Sequence, residues 1–337
     1  MAQPGTLLPD LSNSMHRRTL LLSALAASAA NAVAQSSPAP WPSRPVRIIV
    51  GFPGGSSPDL LARTLAEPLA KELGQPVIVE NKVGAAGNIA ADAVAHASDG
   101  HTLGLMINGN MTVAKLLNPR LGYDPVRDLL PVSLIATAPL VLAAPAGAPG
   151  ASPQDFLAMA KQAGDRWSYG SPGVGTVAHI GMELINARAG LRAVHVPYSG
   201  NPQVVAALQS GEIQLALLPP GLMAPHAKAG RLRAVAITSS ARSTLAPDIP
   251  SLADAGVRDA DLEIWDAIAA PRTMPQPVAA RLSALFGEIV RRPDLRERLF
   301  QQGWQVAGTG SEGLARRIQA DMKMLGGIIA AQGIRIE

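Results

Sequence analysis

The chain has 337 residues, 47% of them hydrophobic and 16% charged, with a formal net charge of +4. That balance excludes a disordered protein, and the length favours two domains over a single core. With 3% aromatics and no cysteine, the composition excludes nucleic-acid stacking platforms, disulfides, thiolate metal sites, cysteine nucleophiles and a lipid-anchoring cysteine. The Arg-Arg pairs at 17–18, 291–292 and 316–317 are isolated. They read as solvated faces, and no nucleic-acid partner is expected.

Residues 1–34 read as an export signal. His16-Arg17-Arg18 is a basic start, 19–30 an apolar run, and Ala32-Val33-Ala34 a small-residue cleavage site. The run is short for a membrane span, which takes ~20 residues. Met15 is a plausible start, with 1–14 as extra sequence, and both Sec and twin-arginine export stay open. Cleavage near Ala34 removes two arginines and one aspartate, which leaves a mature charge of +3. The mature chain has no further span candidate and is expected in the periplasm of a two-membrane bacterium. Residues 36–43, rich in Pro and Ser, form a lead-in.

The mature chain is organised around 46–59, VRIIVGFPGGSSPD. Val46, Ile48, Ile49 and Val50 suit a buried strand. Glycines stop it, Ser57 is the expected N-cap, and Pro58 fits the first helical turn. A strand, a glycine loop and a helix start make a junction where free amides favour an anion. Strands follow at 76–80 and 102–107, with a small-residue loop at 81–88, a helix at 89–97 and a loop at 108–110. The order β-α-β-α-β predicts a parallel sheet. Residues 131–144 are extended without helical period, a candidate crossover between two domains. A helix is expected at 153–163.

A second block repeats the grammar: a strand at 167–170, a glycine loop at 171–176, and a helix at 177–189 capped by Thr176. Then come a strand at 193–196, a loop at 197–202 with Asn201 as N-cap, a helix at 203–209, and strands at 212–218 and 232–238. Residues 263–270 return as a second crossover, and helices at 277–290, 293–302 and 311–332 close the chain. Domain 1 is expected over 41–140 and 240–337, and domain 2 over 141–239. Loops 52–57, 83–88, 171–176 and 198–201 would then line one cleft. They contain no Arg or Lys, so an anion would be held by amides, hydroxyls and water, without the cost of desolvating an ion pair.

Catalytic signatures are missing. No G-x-S-x-G elbow, Walker loop or metal-spaced histidine pair occurs. His179, His195 and His226 lie far apart in sequence and read as structural. Gly173-x-Gly175-x-x-Ala178 matches a dinucleotide fingerprint in its Ala form, but the next strand ends in His195-Val196-Pro197 with no acid for a ribose. No catalytic residue, metal or cofactor is expected.

From Trp41 onward the motifs WPSRPVRIIVGFPGGSSPDLLAR, LGQPVIVENKVGAAGNIAADAVAHASDGHTL, YDPVRDLLPVSLIA, YGSPGVGTVAHI, VHVPYSG, PHAKAGRLRAVAIT and PDIPSLADAGV occur in order. In these the chain resembles the Bug family, the periplasmic solute receptors of tripartite tricarboxylate transporters. The resemblance implies an α/β type II periplasmic binding protein. In such a protein two α/β domains, joined by two crossover strands, close around a ligand cleft. It implies a small carboxylate ligand, membrane transporter subunits as partners, a monomer, and no catalysis. Ligand-binding residues are expected at Phe52, Gly54, Gly55, Ser56, Ser57, Asn88, Asn108, Ser171, Gly173, Gly175, Thr176 and Tyr198, with the 54–57 amides as donors in the first loop.

Three departures stand out. Ser56 and Pro58 replace a Gly and a Thr of the family loop. Leu217-Leu218-Pro219 stands where relatives often have Phe-Asp-Asn, and Trp265-Asp266-Ala267 where they often have Trp-Phe-Gly. Leu218 in place of that Asp implies a ligand without an ammonium at that end. A secreted α/β enzyme acting on a small carboxylated substrate, and a ligand-presenting sensor component, are the alternatives.

Overall fold

The computed structural model describes residues 1–2, 5 and 41–335. The export signal, with its basic pair and cleavage point, lies outside the described residues. From Arg44 onward the chain builds two sheets. The strands are β1 (Val46–Val50), β2 (Val77–Asn81), β3 (Thr102–Ile107), β4 (Leu129–Pro139), β5 (Val141–Pro145), β6 (Ser168–Ser171), β7 (Val194–Pro197), β8 (Leu215–Leu218), β9 (Leu232–Ile237), β10 (Glu263–Pro271) and β11 (Gln305–Gly310). One sheet has the order β11-β4-β10-β3-β1-β2 and the other β7-β6-β8-β5-β9. This is the mixed α/β architecture that the resemblance implied.

β1 is parallel to both β2 and β3, and its Val46, Ile48, Ile49 and Val50 are buried. Parallel neighbours need crossover helices. Ser57–Leu73 and Asn88–Ala95 supply them. The second sheet repeats the device: β6 is parallel to β7 and β8, with the Val177–Ala189 and Asn201–Ser210 helices between them. In both sheets the helix starts gather at the carboxyl ends of the strands, where open α/β sheets bind ligands.

The extended segment 131–144 is two strands, β4 in one sheet and β5 in the other, with only Leu140 between them. Pro139 has no N–H to continue a ladder. The chain passes back between Thr238 and Leu262. There the Thr238 N–H donates to Leu140 O (2.8 Å), and the Leu140 N–H donates to Thr238 Oγ1 (2.8 Å). The Thr238 hydroxyl donates to Leu262 O (2.6 Å), and the Leu262 N–H to Thr238 O (3.0 Å). One buried threonine therefore pins both crossings.

A core of Leu142, Phe156, Ile180 and Leu217 fills one side of the second sheet and takes in Leu325 and Ile329 from the Ser311–Gln332 helix. That helix also packs on β4. Several elements are additions to the sequence reading, among them a helix after β8 and the strand β11. Pro219-Pro220-Gly221 looks like a turn, yet Pro220 opens a helix over Pro220–Lys228, because a proline suits a first turn. The run QVAGTG is poor in strand formers. It is still β11, paired to β4 across a register shift between Val306 and Thr309. Residues 108–110 are no loop but part of the Asn108–Met111 helical turn. No helix among the described residues is long and apolar enough to cross a membrane.

Candidate functional site

The starts of three helices converge on one cavity between the sheets. Ser57 contributes from the first sheet, and Val177, Ala178 and Asn201 from the second. Asp266 and Ile264 of β10 form a wall, and Leu140 and Leu217 the back. The cavity is narrow, about 50 Å³, room for a few waters. Among the described residues no Lys, Arg or His lines it.

Loop 52–57 is shaped by an acid behind it. The Asp59 carboxylate accepts from the Gly55 N–H (2.9 Å), from Asn81 Nδ2 (2.8 Å) and from Arg63 Nε (3.0 Å). Asn81 Nδ2 also donates to Phe52 O (2.9 Å). Burial pushes the Asp59 carboxyl up, but the bonds from Arg63, Asn81 and Gly55 outweigh it and hold it below the usual range. The Ser56 N–H donates to Pro53 O (3.1 Å). Two of the amides expected for a ligand, Gly55 and Ser56, are thus spent on the loop itself. The Ser57 N–H is not. Ser56, not Ser57, holds the N-cap position, and it makes no side-chain capping bond.

Loop 171–176 is shaped by two histidines. The Gly175 N–H donates to His179 Nδ1 (3.2 Å), so His179 carries its proton on Nε2. Ser171 Oγ lies 2.7 Å from His195 Nε2. The two rings stack at 4.1 Å, and Tyr169 stacks on His195 at 4.9 Å. The Tyr169 hydroxyl donates to Glu183. Burial holds His179 down to about 4; burial and the neighbouring His179 hold His195 down to about 3. Both rings are neutral at pH 7, as structural histidines should be. Thr176 caps the helix, accepting from the His179 N–H (3.4 Å). The amides of Val177 and Ala178, which line the cavity, have no acceptor among the described residues.

Of the expected ligand residues, Phe52, Ser56, Ser57, Asn108 and Thr176 line the cavity. Gly54 and Gly55 are exposed on the outer turn of their loop. Asn88 is drawn away from the cavity: its Oδ1 accepts from Asn110 Nδ2 (2.8 Å) and sits 2.8 Å from the Tyr123 hydroxyl. Ser171 and Gly175 stand behind the lining, held by the histidine bonds, and Gly173 stands there with its N–H on Ser171 Oγ and its carbonyl accepting from Thr176 Oγ1. Tyr198 lies outside it, with its hydroxyl donating to Glu212 (2.8 Å). Sequence reasoning missed Asp266 and Ala178, and it placed Asn201 one position early, as N-cap; Gly200 holds that place. The run of N-terminal amides after Thr176 was the available signal for Ala178. Asp266 sits inside an apolar strand, and its one signal was the departure of Trp265-Asp266-Ala267 from the family's Trp-Phe-Gly.

The model of the tripartite tricarboxylate transporter family receptor matches residues 61–334. The chain belongs to that family. BugT of Bordetella pertussis is 34% identical over 265 residues, covering 78% of this chain and 81% of BugT. Among solved structures, an R. palustris protein with adipate has a TM-score of 0.85 at 28% identity, covering 88% of this chain and 99% of that one. MatC from Rhodopseudomonas palustris with bound malate has a TM-score of 0.81 at 30% identity, covering 86% of this chain and 100% of MatC. A receptor family replaces the enzyme alternative. Among the described residues no group of His, Asp and Glu could hold a metal ion.

In this receptor the loops of the two sheets meet backbone to backbone. A Cβ at Gly109 would lie 2.7 Å from the Gly175 carbonyl oxygen, and one at Gly173 would lie 2.8 Å from Ala86 Cβ. Only glycine lets these segments approach so closely. The cleft is shut, and its small volume follows from that.

Proposed function

We propose that this receptor captures a small carboxylate between its two sheets and delivers it to the membrane subunits of a tripartite transporter. It works as a monomer in the periplasm, after cleavage near Ala34. The observation that carries this reading is the pair of helix N-termini, Ser57–Leu73 and Val177–Ala189, whose free amides face one buried cavity. Each helix end brings partial positive charge and unpaired N–H donors, the chemistry that holds an anion. With no basic side chain in the lining, the amides of Ser57, Val177 and Ala178 are the proposed carboxylate donors. Ser56, Asn108, Thr176 and Phe52 complete the proposed contact set.

Residues 41–140 with 240–337, and residues 141–239, are the proposed moving bodies. The Leu140, Thr238 and Leu262 crossings lie where such a hinge must be. A diacid is larger than the shut cavity, so entry requires the sheets to part and close again. The adipate- and malate-bound relatives support this ligand class.

A thermal-shift series on residues 35–337 tests the reading, using mono-, di- and tricarboxylates and aromatic acids. A bound ligand raises the melting temperature and is recovered unchanged. Flat curves across all the acids would overturn it.

A further inference from the structure

Five buried side-chain polar atoms among the described residues lack a partner, and the residues of three of them line the same cavity: Ser56 Oγ, Asn201 Oδ1 and Asp266 Oδ2. Ser56 is 1% exposed, Asn201 8% and Asp266 1%. Each unpaired buried group costs about 1–3 kcal/mol, more if charged, and such groups persist where a ligand completes them. Asp266 lies on β10 opposite Ile107 of β3 and Ala136 of β4. The cavity it lines mixes apolar side chains with neutral polar ones, and among the described residues no cation lines it.

We propose that Asp266 selects the ligand: the receptor takes a carboxylate that also carries an ammonium group, with the ammonium on Asp266. This rests on the reading of the cavity as a carboxylate site. The helix N-termini supply donors for an anion and nothing for a cation. Asp266 Oδ2 and Asn201 Oδ1 are acceptors, and an ammonium brings three N–H donors and the charge a buried carboxylate needs. A carboxylate without such a group leaves Asp266 either unpaired or neutral, and burial alone already pushes its carboxyl well above the usual range. The proposal reverses the sequence expectation drawn from Leu217-Leu218-Pro219. Pro219 lines this same cavity, and the acid comes from β10 instead.

Isothermal titration of residues 35–337 and of Asp266→Asn with two matched pairs, aspartate against succinate and glutamate against glutarate, tests it. The expected result is that the unmodified protein binds the amino member of one pair about tenfold tighter or more, and that Asp266→Asn abolishes that preference. Asn keeps the shape, and circular dichroism checks its fold. The unmodified protein's preference decides the case even if the variant does not fold. Tighter binding of succinate or glutarate, a preference that survives Asp266→Asn, or binding only of amino-free acids would overturn it. The last outcome would mean that Asp266 is a neutral acid donating to ligand oxygen. Silence towards every carboxylate would instead remove the underlying reading of the cavity.

Discussion

Loop 52–57 takes its shape from an ion pair, whereas loop 171–176 takes its shape from two neutral rings. Asp59 with Arg63 braces the first from behind, and Arg63 reaches out to solvent (2.9 Å pair, Arg63 side chain 52% exposed). His179, which is buried, and His195, which is half-buried, brace the second as a stacked pair. Both devices serve one end: each consumes loop amides and leaves the helix's own first amides free. The lesson is that the amides left for the proposed anion site are set by what the loop does with its own donors, not by how many glycines it holds. The two braces should fail under different conditions, and the following experiments separate them.

Acid should produce the largest effect, and between pH 6.5 and 4 the second loop should carry more of it than the first. The folded His179 is held down to about 4, while the unfolded side chain titrates near 6.5. As pH falls through 6.5 the unfolded chain takes up a proton that the folded one refuses. Stability therefore drops between about 6.5 and 4, on the order of 3 kcal/mol for this residue, and then levels. Asp59 has the opposite arrangement, a folded carboxyl below its usual range. Its contribution is intact above the unfolded value and fades only as pH falls below about 4. Asp266 is held above its usual range and gains on acidification, so His179→Gln is the proper control. Urea titrations at pH 7 and pH 4.5 should show a smaller loss in the variant. An equal loss would mean that the histidine brace does not carry the effect.

Removing the acid brace comes next. Asp59→Ala leaves the Gly55 N–H and Asn81 Nδ2 without their acceptor and should cost about 2 kcal/mol, with weaker ligand binding as the loop relaxes. Denaturant midpoints and titration read both. A variant as stable as the parent would show that the loop holds itself.

The smallest effect belongs to Arg63→Ala. Its partner is buried but the guanidinium is half exposed, so solvent screens the pair, and the loss should stay below about 1 kcal/mol. Raising the salt to about 0.5 M should mimic part of it and leave loop 171–176 untouched. A loss as large as that of Asp59→Ala would assign the brace to the arginine.

Much of this was legible in the residues. The strand, glycines and Pro58 of 46–59 pointed to one helix start to within a residue, and Thr176 marked the other, because those residues act locally. Of the four loops read as cleft walls, 52–57, 171–176 and 198–201 reach the cavity and 83–88 does not; the proposed main-chain route for the anion followed from the missing Arg and Lys. The displaced donors were not legible. Asp59 lies four residues from Gly55 in the chain, but nothing local says that its carboxylate turns back to the loop. His179 and His195 lie 16 residues apart and meet only because β6 and β7 pair. Asp266 is an acid in an apolar run, and only tertiary neighbours reveal that it faces a cavity. The same limit hid β11, whose strand state depends on β4 and not on its own glycines.

The central claim is that free helix-start amides hold the ligand, and Ser57→Pro tests it most directly. Ser57 is the first helical residue, a place proline accepts, and Ser56 before it is already extended at ψ 158°. The substitution removes the Ser57 N–H together with the hydroxyl it brings to the lining, so Ser57→Ala, which keeps the N–H, is the reference for affinity. Titration of this variant with the carboxylate that gives the largest thermal shift should show binding weakened about tenfold or more, with the ligand-free melting temperature little changed. Unchanged affinity in a folded Ser57→Pro protein would contradict the account.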